Sequence, residues 1–170
     1  MRTLTRGSTS SRLGSSSNGF SLIELLIVVC VILIISAIAI PNFIRSRMAA
    51  NESSAAQSLR SISTAESLYA TTYGSGYSVD LPSLSGTSGA PTTSNAQLID
   101  VVLASGTKSG YLISYVPGAT DALGNVVDYT ITANPITPGS TGQKYFYTDQ
   151  TCVIRWNSSA PAGPTDAPIQ

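Results

Sequence analysis

Glu24 is the one charged residue within residues 20–40, a block otherwise apolar except for Ser21 and Ser36. Wound as an α-helix, that block rises about 31 Å, close to the roughly 30 Å hydrocarbon thickness of a bilayer. A serine in such a helix can return its hydroxyl to a backbone carbonyl one turn back, whereas an ionised carboxylate in lipid needs a cation. Gly19 stands just before the block and Phe20 opens it. A cut between them would create an amine about 6 Å along the helix axis from the Glu24 backbone. Two unit charges 4 Å apart at an effective dielectric near 20 attract by about 4 kcal/mol, comparable to the ~2.5–3.5 kcal/mol that insertion scales assign to an intramembrane acid. If the Phe20 amine of one copy meets Glu24 of its neighbour, the pair also sets the axial offset between two otherwise smooth apolar helices. Given such a cut, the charge arithmetic makes Glu24 the residue that would set assembly.

The residues before the block agree. Residues 1–18 carry Arg2, Arg6 and Arg12, no acid, and many serines, which is a short cationic leader. An ordinary secretory signal is cut after its apolar region at a small-x-small site, and Ser36, Ile38 and Pro41 make a poor one. Cleavage after Gly19 would leave the helix on the mature chain. The run Gly19-Phe20-Ser21-Leu22-Ile23-Glu24, with the apolar helix behind it, resembles the processing signal of type IV prepilins and the related pseudopilins. That resemblance implies removal of residues 1–19 by a membrane prepilin peptidase, N-methylation of Phe20, storage in the bacterial inner membrane, and self-association into a helical filament. It also implies an inner-membrane assembly platform and an ATPase as partners. Three of the nine basic residues lie in the leader, so the rest carries six against nine acids, a net charge of −3. This asymmetry places the leader in the cytoplasm and the region after Pro41 outside. Arg45 and Arg47 read as interfacial anchors in contact with lipid headgroups, and no specific nucleic-acid partner is expected.

The elements that must carry this device follow from periodicity. Pro41 removes a backbone hydrogen bond and predicts a kink. Beyond it Ile44, Met48, Ala55, Leu59, Ile62, Ala65 and Tyr69 form an apolar stripe, with Glu52, Arg60 and Glu66 among the residues assigned to other faces, so an amphipathic helix is expected over 42–73. Residues 74–96, rich in Gly, Ser, Thr and Pro, read as a surface loop where pilins keep their αβ-loop. A short helix over 95–105, capped by Asn95, should follow. Four strands are expected at 111–116, 126–133, 144–148 and 151–156, the last two joined tightly at Asp149-Gln150. One sheet face, carrying Tyr111, Ile113, Tyr115, Val127, Tyr129 and Ile131, can lie on the amphipathic helix. The fold class is therefore α+β and pilin-like: one long N-terminal helix on a small antiparallel sheet. The organisation is a leader (1–19), a membrane or filament-core helix (20–41), a globular domain (42–156) and a flexible tail (157–170).

Other chemistry finds little footing. The chain has no histidine, no cysteine beside a base, no nucleophile elbow and no phosphate-cradling loop, so an enzyme is not expected. Cys30 falls in the membrane block and Cys152 in the expected last strand, so they should not pair, and the C-terminal disulfide of many major pilins is missing. The family also implies calcium at C-terminal carboxylates, but Asp121, Asp128, Asp149 and Asp166 lack the spacing of a calcium loop, and no cofactor is expected. Asp121-Ala122-Leu123-Gly124-Asn125 is similar to a turn of major pseudopilins and reads first as an ordinary turn. The expected function is a structural subunit of a type IV pilus-like filament for adhesion, motility or uptake. The alternatives are a major pseudopilin of a type II secretion system and, from another class, a membrane-anchored periplasmic binding domain that never polymerises.

Overall fold

Serine and threonine crowd the second half of the long helix, and the chain keeps them helical by a local device. Ser58, Ser61, Thr64, Ser67 and Thr71 each donate their hydroxyl to the carbonyl four residues earlier, at 2.9 to 3.1 Å, so no side chain competes for the helix's own donors. In the computed structural model, which describes residues 19–87 and 89–169, this helix, α1, runs Leu22–Tyr73. The expected leader, apart from Gly19, lies outside the described residues. Gly74 closes α1 with a left-handed φ of 64° and a 3.1 Å bond to the Ala70 carbonyl, a glycine C-cap at the expected place. Pro41 lies inside α1 and does not end it. The chain divides into two units at this proline, Met1–Ile40 and Pro41–Gln170.

In the first unit every large apolar side chain from Phe20 to Ile40 is exposed. The helix is long and apolar enough to cross a membrane.

The second unit is built on the rest of α1. Two short helices follow it: α2 (Leu81–Leu84), capped by Asp80, and α3 (Val101–Ala104), capped by Asp100, whose carboxylates accept the Ser83 and Leu103 amides at 2.9 and 2.7 Å. The sheet is an antiparallel meander in chain order: β1 (Thr107–Lys108), β2 (Tyr111–Pro117), β3 (Tyr129–Pro135), β4 (Tyr145–Asp149), β5 (Arg155–Asn157) and β6 (Ala167–Pro168). Registers such as Ile113↔Ala133 and Ala133↔Phe146 align the buried residues of successive strands on one face. That face meets Ala55, Leu59, Ile62, Ala65 and Tyr69 of α1 in a single core that also takes in Leu81, Leu84 and Leu103.

Several expectations need correction. Six strands form rather than four, the extra two being two residues long. Residues 74–96 are more than a surface loop: Ser78, Leu81, Ser83 and Leu84 are buried, and Tyr77 bonds to the Val126 carbonyl at 2.8 Å. The helix expected over 95–105 shrinks to α3, because Asp100 rather than Asn95 supplies the cap. Val127 is exposed and Val126 buried, since pairing with Tyr77 turns the chain before β3 begins. The Asp149-Gln150 link is longer than two residues: Asp149 captures the Thr151 amide at 2.9 Å and Cys152 takes a φ of 59°, so Cys152 is an exposed turn residue and not a buried strand residue. The tail is ordered where flexibility was expected. Asp166 accepts the Asn157 side-chain amide at 3.0 Å and the Gly163 amide at 2.8 Å, and Ile169 donates to the Ile154 carbonyl at 2.9 Å.

Candidate functional site

The site expected from the sequence begins where the described chain begins. Among the described residues Gly19 has open space around it, with no atom within 4 Å of an added Cβ, so none of them demands a glycine there. Phe20 is 80% exposed and precedes the helix. The amides of Glu24 and Leu25 both donate to the Ser21 carbonyl, at 3.1 and 3.2 Å, which starts α1 one residue after Ser21 and puts Glu24 in its first turn. A carboxylate there is favoured by the helix dipole. Its side chain is exposed and makes no hydrogen bond or ion pair to any described residue. One subunit therefore presents Glu24 together with apolar side chains on every side of the helix, a surface far beyond what a water-soluble monomer leaves bare. Pro41, the remaining residue singled out from the sequence, lies at the far end of this segment.

In the second unit the structure reveals a buried acid that sequence reasoning placed on a solvent face. Glu66 is fully buried, its carboxylate accepting the Ser78 amide at 2.9 Å and the Ser78 hydroxyl at 2.5 Å. Burial pushes its pKa up, and the Ser78 hydrogen bonds oppose that shift. The signal was present in the spacing: Glu66 lies four residues after Ile62 and three before Tyr69, on the buried stripe. Tyr115 completes the arrangement by donating to the Ser78 carbonyl at 2.8 Å, and desolvation together with the nearby Glu66 charge drives its phenol well above the usual range. The result ties α1, the segment after it and β2 together at one polar point.

Two features reach the surface. A cavity of about 390 Å³ opens beside α1, floored by Ala56, Phe146, Trp156 and Ile169. At its edge the Lys144 ammonium lies 3.5 Å from a Glu52 carboxylate oxygen and 5.0 Å from the Trp156 ring centre, and Arg60 is exposed. The second feature is the 121–125 turn. Asp121 accepts the Leu123 amide at 2.8 Å, the Asn125 amide at 2.9 Å and the Asn125 side-chain amide at 2.9 Å, while Gly124 takes a φ of 84°. These bonds, the Asn125 side chain foremost, hold the Asp121 pKa below its usual value. The aspartates weighed for calcium are each engaged by their own surroundings: Asp128 receives the Ala119 amide, Asp149 the Thr151 amide, and Asp166 the bonds of the tail. Among the described residues no three His, Cys, Asp or Glu side chains cluster to hold a metal.

An apolar N-terminal helix long enough to cross a membrane, with one acid in its first turn and its second half packed into a small α+β domain, defines a pilin-like fold. The comparisons agree with that class. The prokaryotic N-terminal methylation motif matches residues 14–40. The type IV major pilin protein PilA of Myxococcus xanthus (strain DK1622) is 46% identical over 56 residues, 33% of this chain and 26% of that protein. The match thus spans about a quarter of that relative's length. No solved structure matches the chain. Residues 14–40 thus carry a prokaryotic N-terminal methylation motif, and the chain is similar to a type IV major pilin over the 56 residues matched.

Proposed function

We propose that this chain is the structural subunit of a type IV pilus-like filament, made as a precursor, cut after Gly19, and drawn from the inner membrane into a helical bundle of its 20–40 helices. The observation that carries this reading is a Glu24 without a partner among the described residues on a helix whose apolar side chains are exposed on all sides. Lipid satisfies the apolar surface in the stored state and neighbouring helices satisfy it in the filament, but only an amine set free at Phe20 offers Glu24 a cation at matching depth. The open space around Gly19 among the described residues fits a small residue required by a processing enzyme. On this reading the chain meets a prepilin peptidase, then an inner-membrane platform and its ATPase, and is no enzyme itself. The fold serves a major pseudopilin of type II secretion equally well, and neighbouring genes for a retraction ATPase or for a secretin-export set separate the two. A membrane anchor that never polymerises is disfavoured by the acid, which such an anchor would not need.

The test is Glu24→Leu in the native host. The variant inserts in the inner membrane at normal levels and yields no filaments by electron microscopy. Normal filaments from this variant would refute the role of Glu24.

A further inference from the structure

Leu123 is 86% exposed, more than any other large apolar side chain among the described residues, including those of the membrane helix. It does not sit on a loose loop. Besides the three bonds to the Asp121 carboxylate, Gly124 donates to the Asp121 carbonyl at 3.0 Å and Asp121 to the Asn125 carbonyl at 2.9 Å. Val126, next along, is 5% exposed and fastened to Gly76 and Tyr77. A leucine held out on a turn this well bonded is pre-ordered for contact and loses little entropy on docking.

The cavity has an apolar floor of Ala56, Phe146, Trp156 and Ile169 under polar walls of Glu52, Ser53, Arg60 and Lys144, and is of a size to take a leucine with part of its turn. Its rim is cationic: Lys144 is balanced by Glu52, while Arg60 has no ion pair among the described residues. The turn that carries Leu123 presents Asp121, whose depressed pKa keeps it charged. Knob and cavity are therefore complementary in both polarity and charge. They cannot meet within one copy. The turn is anchored at Gly76 and Tyr77, just past the end of α1, whereas the cavity lies beside Ala56, about 25 Å back along the helix by 1.5 Å per residue.

We propose that Leu123 of one copy seats in this cavity of the next copy, with Asp121 beside Arg60. Such a contact joins two different patches, so it is heterologous, and repeated it builds an open helical polymer rather than a closed dimer. The proposal rests on the filament reading and adds to the helix bundle a second, peripheral bond between globular domains.

The experiment is cysteine cross-linking in filaments sheared from cells. In a Cys30→Ala, Cys152→Ser background, which removes both exposed native thiols, Leu123→Cys and Ser53→Cys are combined, Ser53 being an exposed residue of the cavity wall. Mild oxidation yields a ladder of covalent oligomers that neither single cysteine gives. Because Leu123 is exposed, Leu123→Asp leaves subunit folding and abundance intact while cutting filament yield about tenfold or more, the scale expected for losing one buried leucine anchor. Filaments that form normally with Leu123→Asp and show no ladder overturn the proposal, leave the filament reading standing, and assign the cavity to an occupant from outside the filament. Failure of the unaltered chain to form filaments sinks both.

Discussion

At the scale of single residues the chain uses its few buried or isolated acids in opposite ways. Glu24 is exposed and, on the proposed reading, meets its partner in another copy, whereas Glu66 is sealed inside and satisfied by Ser78. Because burial raises the Glu66 pKa above its ordinary 4.5, the native state binds more protons than the unfolded chain between those two values. The contribution of Glu66 to stability is therefore greatest below the unfolded value, declines as pH rises through the window, and is flat above the native pKa. Glu66→Gln, which keeps the shape and removes the titration, should melt with a weaker fall in midpoint than the parent as pH rises above 4.5. Identical pH profiles for the two proteins in detergent would contradict this. Glu66→Ala leaves the Ser78 amide buried without its acceptor and should cost about 1–3 kcal/mol in denaturant titration. Cys152, exposed at its turn, should react with a maleimide in the folded protein, and reaction only after unfolding would show that the turn is wrong.

Among elements, the long helix and the central strands were legible because each is long enough to show its period: Leu59, Ile62, Ala65 and Tyr69 for α1, and Tyr111, Ile113, Tyr129 and Ile131 for β2 and β3. Strands β1 and β6 were not, since two residues carry no period at all. The ordered tail was hidden for a different reason. Its composition is that of a flexible segment, and its order comes from Asp166 bonding back to Asn157 and Gly163 and from Ile169 packing on the core. The segment after α1 was misjudged likewise, because its burial depends on a backbone pairing with Val126 that composition does not encode. Gly76 makes that pairing possible: its φ is 74°, and a Cβ there would lie 2.2 Å from the Val126 carbonyl oxygen. Gly76→Ala should destabilise the domain by more than about 1 kcal/mol and loosen the 121–125 turn. An unchanged thermal midpoint would contradict that role.

Across the whole molecule, the N-terminal motif was the most legible feature and the globular surface the least. A motif of Gly19, Phe20 and Glu24 on an apolar helix is a local pattern, and its chemistry can be read without knowing any tertiary contact. The cavity beside Ala56 and the turn at Leu123 arise only when residues far apart in the chain come together, so no spacing announces them. The account as a whole claims that proteolysis converts a stored membrane protein into one that polymerises, by freeing the amine that Glu24 lacks. The most direct test is the intact mass of the protein in filaments sheared from cells. The account predicts a chain that begins at Phe20 and carries one added methyl group at that amine. A filament protein that still holds residues 1–19 would contradict it.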